Sequence, residues 1–130
     1  MKFRVRSLLQ ALSLTALAVV MPVSAVEPSS AALQEIHQLL DVLGTSNCQF
    51  NRNGEWYTPA EAVKHLNKKF DVLVGKGKIG TTEDFIRIAA SESSVSGEPY
   101  QVQCSGAPAV NSGPWLTDAL AKIRSGNKPQ

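Results

Sequence analysis

His65 stands four residues after Glu61, a spacing that lays an imidazole over a carboxylate on one face of a helix. Such a pair could relay a proton or form one side of a metal site, but each chemistry needs a third group. The other histidine, His37, lies in a separate stretch beside the apolar positions of an earlier helix, and no HExxH or comparable ligand spacing occurs. Serines crowd residues 91–96, yet none of them sits in a GxSxG or SxxK signature that would mark a nucleophile. Helix termination and turn formation explain these serines more simply, because their hydroxyls bond to nearby backbone groups. His65 is therefore a candidate binding residue, with no catalytic role and no metal assigned.

Two tryptophans, Trp56 and Trp115, are candidate anchors for a ligand or partner, since tryptophan is enriched in recognition hot spots. Ser96, Gly97 and Tyr100 spell SGxxY, which is similar to the loop motif of periplasmic lysozyme inhibitors, whose serine and tyrosine help place a loop in the enzyme's cleft. Those inhibitors are predominantly β, and here Glu98 would carry a negative charge toward a site holding two carboxylates. The plainer reading is a Gly-Pro turn entering a strand, with Tyr100 in the core.

The compartment follows from the first 25 residues. Lys2, Arg4 and Arg6 precede a largely apolar run from Leu8 to Met21, then Pro22 and the small residues Val23, Ser24 and Ala25. That order predicts a signal peptide over residues 1–25, cleaved before Val26. The run is too short, and too interrupted by Gln10, Ser13 and Thr15, for a stable membrane anchor. Cleavage leaves 105 of the 130 residues, enough for a single globular domain over residues 26–130. Three of the 13 Lys and Arg leave with the leader, so ten face 11 Asp and Glu, and the basicity that would suggest nucleic acid disappears. Cys48 and Cys104 both remain; in an oxidising compartment they are expected to form a disulfide, and CxxC chemistry is absent.

The elements that must position these residues can be read in order. Leu33, Ile36, Leu40 and Leu43 recur at helical spacing before Gly44. Cys48, Phe50 and Arg52 alternate with Gln49 and Asn51, and Asn53-Gly54 then predicts a two-residue hairpin turn. The register sets Phe50 opposite Tyr57, Asn51 opposite Trp56, and Arg52 opposite Glu55 as a cross-strand ion pair. Cys48, Phe50 and Tyr57 share a face; Trp56 projects from the other, where a covering helix is expected to bury it. Thr58, Pro59 and Glu61 announce a second helix to about Val74, with Ala62, Val63, Leu66, Phe70 and Leu73 inward. Residues 75–80 read as a flexible link. Thr81 or Thr82 caps a third helix with Phe85, Ile86, Ile88, Ala89 and Ala90 inward. Tyr100, Val102 and Cys104 make a later strand, and a last helix starts near Pro114. The class is α+β: a small antiparallel sheet, the hairpin plus one later strand, packed with about four helices on one face.

In order and spacing, Arg52-Asn53-Gly54, Glu61-Ala62, His65-Leu66, Thr82-Glu83, Phe85-Ile86, Ala90-Ser91, Ser93-Ser94 and Ser96-Gly97-Glu98-Pro99-Tyr100 resemble the YfeK-like family of small exported bacterial proteins. The resemblance runs from the first helix to Trp115-Leu116. It implies one compact periplasmic domain, and it brings no activity, cofactor or catalytic residue. The function expected is that of a non-enzymatic binding or interaction module, its partner a periplasmic protein or cell-wall component and not nucleic acid. The alternatives are a lysozyme inhibitor acting through Ser96 and Tyr100, and a small hydrolase using His65 with a loop serine.

Overall fold

The computed structural model describes residues 11–21 and 26–127. Residues 1–10 and 22–25, on which most of the leader reading rests, lie outside the described residues. Between them Leu12, Leu14 and Leu17 are exposed and take no part in the core. Among the described residues no helix is long and apolar enough to cross a membrane.

Helix α1 spans Ser30–Gly44, capped by the Ser29 hydroxyl, which accepts from Ala32 N. Its buried stripe is Ala32, Ile36, Leu39, Leu40 and Leu43. Leu33, expected inward, is exposed instead, because the stripe that meets the core is centred one position round the helix, through Ala32 and Leu39. Strands β1 (Cys48–Arg52) and β2 (Glu55–Tyr57) form the hairpin in the anticipated register. Asn53 and Gly54 both adopt positive φ, 52° and 86°, as a type I′ turn demands.

Helix α2 spans Pro59–Gly75, with Thr58 and Glu61 forming a reciprocal capping box. The following link is not the loose connection its glycines suggest. Ile79 is fully buried in it, and Gly77 N and Lys78 N donate back to the carbonyls of Val74 and Leu73. A short α3 (Thr82–Asp84), capped by Thr81, runs directly into a π-helical turn over Phe85–Ala89. The wider turn, closed by Ala90 N donating to Phe85 O, brings Phe85, Ile86, Ala89 and Ala90 inward together while Ile88 is only half-buried.

Strand β3 (Gln101–Cys104) pairs antiparallel with β1, and a two-residue β4 (Val110–Asn111) pairs with β3, giving a four-stranded order β2-β1-β3-β4. The sequence reading lacked β4, since two residues are too few to show alternation. Cys48 lies opposite Cys104 and the disulfide joins them, stapling β1 to β3. Helix α4 (Ser112–Gly126) buries Leu116 and Leu120. The four helices and one face of the sheet enclose a common core in which Phe70 meets Phe85 and Phe50 meets Trp115, edge to face.

A candidate ligand cavity between the second helix and the sheet

The hairpin alternation turns Arg52 to the same side as Cys48 and Phe50, toward the helices. A guanidinium directed inward must find partners or water. It finds two neutral ones: Nη1 donates to His65 Nδ1 at 2.8 Å, and Nη2 donates to the Tyr57 hydroxyl at 3.3 Å. The expected ion pair with Glu55 does not form. Glu55 Oε2 instead accepts from the Tyr57 hydroxyl at 2.6 Å, leaving Arg52 with no carboxylate partner among the described residues.

These contacts fix the state of His65. Arginine only donates, so Nδ1 must carry a lone pair and the ring proton of the neutral imidazole sits on Nε2. Nε2 then donates to the Tyr100 hydroxyl oxygen at 3.1 Å. Lys69 Nζ reaches the same oxygen at 3.3 Å and donates to the Glu92 carbonyl at 2.7 Å. Burial, reinforced by the positive charges of Arg52, Lys69 and Lys68, holds the imidazole pKa below its ordinary value. Burial likewise raises Tyr100, against the pull of Arg52. Lys69 is lowered chiefly by burial, with Glu92 opposing and Arg52 adding to the fall.

Beside this chain of polar groups opens a cavity of about 360 Å³. Its buried lining is mainly apolar, with Leu43 of α1, Phe50 of β1, Leu66 of α2 and Leu116 of α4, joined by the hydroxyl-bearing Tyr100 and Ser112. Apart from Ala62 and Asn51, its exposed and half-buried lining is Arg52, Tyr57, Glu61, Lys64, His65 and Lys68. Cations outnumber anions there, and the one carboxylate, Glu61, is occupied by Thr58 N and Oγ1 at 2.9 and 3.1 Å in the helix cap. The overlay of Glu61 and His65 suggested by their spacing therefore yields no bond between them. A site of this size, apolar within and cationic at the rim, is suited to a small molecule that carries an acid group on an apolar body.

Of the five candidate binding residues, the cavity brings together His65 and Tyr100. Trp56 stands away from them, 42% exposed on the outer face of the sheet, which no helix among the described residues buries at this position. Ser96 and Gly97 are held at the hairpin tip: Ser96 Oγ donates to Asn53 Oδ1 at 2.6 Å, and Asn53 Nδ2 donates to Ser93 Oγ at 3.3 Å. Neither residue lines the cavity. His65 has hydrogen bonds to Arg52 and Tyr100 and none to a serine among the described residues. No group of three His, Cys, Asp or Glu residues among the described residues is arranged to hold a metal. Sequence reasoning passed over Arg52, Tyr57, Lys64, Lys68 and Lys69. The available signal was the alternation itself, which puts a charged Arg52 at an inward position.

The model of a family of unknown function, DUF5329, matches residues 30–124. The chain belongs to this family. It is similar to the uncharacterized protein YfeK of Salmonella typhimurium, with 38% identity over 66 residues that cover 50% of this chain and 53% of that relative. The matched part thus spans about half the relative's length. The YfeK-like resemblance carried by the ordered residues is accordingly shown. No solved structure matches the chain.

Proposed function

We propose that this is an exported binding protein whose cavity beneath α2 takes up a small amphipathic anion. The observation that carries the reading is the half-buried Arg52 guanidinium, set above an apolar floor with only neutral partners. Two of its N–H groups are engaged by His65 and Tyr57, and the remaining donors have no partner among the described residues and can take a carboxylate or similar acid. Lys64 and Lys68 extend the positive field at the mouth. The apolar part of the ligand then packs on Phe50, Leu66 and Leu116.

Binding is favoured over turnover because both ring nitrogens of His65 are already bonded to Arg52 and Tyr100, and among the described residues no serine or cysteine is bonded to them. The lysozyme-inhibitor reading lacks comparable support, since Ser96 is bonded to Asn53 and Tyr100 is 8% exposed against His65. Export is supported by the leader pattern and by the disulfide, which is favoured outside a reducing cytoplasm.

A matched series of eight-carbon ligands tests the proposal by isothermal titration. Octanoate is expected to bind saturably, octanol weakly, and octylammonium not at all. Equal binding of all three, or binding of none, would contradict it.

A further inference from the structure

The sheet face turned away from the helices is uncharged and carries an ordered row of side chains. Register places Trp56 of β2 opposite Asn51 of β1, Asn51 opposite Gln101 of β3, and Gln101 opposite Asn111 of β4. Residues directly opposite share a face, so the four side chains line up across all four strands at steps of about 4.8 Å. Gln49 and Gln103, also opposite each other, add a second pair of amides beside the row. Trp56, Gln49, Gln103 and Asn111 are exposed, and Asn51 and Gln101 are half-buried.

These amides are almost wholly unengaged. Among the described residues the only hydrogen bond made by any of the five amide side chains is Asn51 Oδ1 accepting from Gly54 N at 3.1 Å. Asn111 occupies the N-cap position of α4, where an asparagine ordinarily bonds the helix backbone, yet its side chain makes no cap bond. It remains available on the sheet face.

We infer that this face is a second binding surface, for a neutral glycan strand. Each amide offers a donor and an acceptor together, as each sugar hydroxyl does. The indole at the end of the row supplies a flat apolar surface for the C–H face of a pyranose ring, with its N–H still free to donate. A face of five amides and one indole with no charged side chain selects against ionic partners, in contrast to the basic cavity behind it. The row is about 14 Å long by strand spacing, the reach of a short oligosaccharide.

The test is isothermal titration of the full chain with the N-acetylglucosamine tetramer and with cellotetraose, using a heparin tetrasaccharide as the charged control. Trp56→Ala and Gln101→Ala alter side chains outside the core, and unchanged circular dichroism and melting confirm that both variants fold. Binding of a neutral tetramer that each variant weakens at least tenfold, with octanoate uptake unaltered, supports the inference. Failure of both neutral tetramers to bind, equal binding of the heparin fragment, or tetramer binding unchanged in both variants overturns it. So does self-association of the chain that Trp56→Ala abolishes while the tetramers have no effect.

Discussion

Arg52 Nη1 donates to His65 Nδ1 at 2.8 Å, joining the hairpin to α2 through a cation and a neutral imidazole. That bond makes His65 an acceptor at Nδ1 and a donor at Nε2, and it leaves the arginine charge uncompensated at the cavity.

The tautomer is open to direct observation. Nitrogen-resolved NMR of the imidazoles should show His65 as the neutral Nε2–H form at pH 7, titrating below its ordinary 6.5. Replacing Arg52 by Leu removes one of the charges that lower it, so the midpoint should move up. A His65 midpoint at or above 6.5 in the native chain would refute the assignment.

The same depression has a consequence for stability. The unfolded chain binds the imidazole proton more readily than the folded one, so this contribution is present above about pH 6.5 and is lost as pH falls through the lower folded value. Urea midpoints measured between pH 7.5 and 5 should decline in the native chain, and the decline should shrink in His65→Gln.

A second acid-sensitive tie joins α1, α3 and α4. Arg124 grips Glu35 through Nε and Nη2 at 3.0 and 2.9 Å, and the fully buried Thr82 hydroxyl donates to Glu35 at 2.5 Å. Bonding to Arg124, and then to Thr82, lowers Glu35, and bonding to Arg124 lowers Glu83. Stability from both carboxylates is present above 4.5 and disappears as pH falls through their lowered values. Thr82→Val should cost about 1 kcal/mol near neutrality by urea denaturation, and less once the pH is low enough to protonate Glu35.

Asn53 has two separable roles. Asn53→Gly keeps the positive φ of the turn but removes the bonds to Ser93 and Ser96. The variant should lose about 1 kcal/mol, with faster hydrogen exchange at Gly97 N, which is bonded to Ser93 O, while the hairpin amides stay protected.

Reduction of the Cys48–Cys104 bond frees a loop of 56 residues. Chain entropy alone puts the loss at about 4 kcal/mol, which is large for a domain of this size. Thermal melts of the Cys48→Ala, Cys104→Ala double variant should show it, and a change under 1 kcal/mol would exclude the entropic account.

Much of the fold was legible because local rules agreed. Asn53-Gly54 admitted one turn type and so one register; Thr58, Pro59 and Glu61 admitted one helix start; the Cys48–Cys104 pairing followed from there being two cysteines. The π-helical turn was not legible, since Phe85, Ile86, Ala89 and Ala90 fit an ordinary helical stripe until packing widens it. Residues 75–80 misled through their glycines, while the single Ile79 that pins them carries no local pattern. The site was half legible. His65 and Tyr100 were singled out for their chemistry, but Arg52 was assigned to Glu55 by strand register, because nothing local reveals that Tyr57 takes Glu55 and that α2 presents an imidazole to the guanidinium. Trp56 was expected to be buried under a helix and is instead exposed, with no helix among the described residues covering it.

Octanoate titration into the native chain and into Arg52→Leu reaches the central claim most directly. Loss of the charge-assisted bonds should weaken binding about tenfold or more, with the circular dichroism of the variant showing that it remains folded. Equal affinity in the two proteins would contradict a cavity built around that cation.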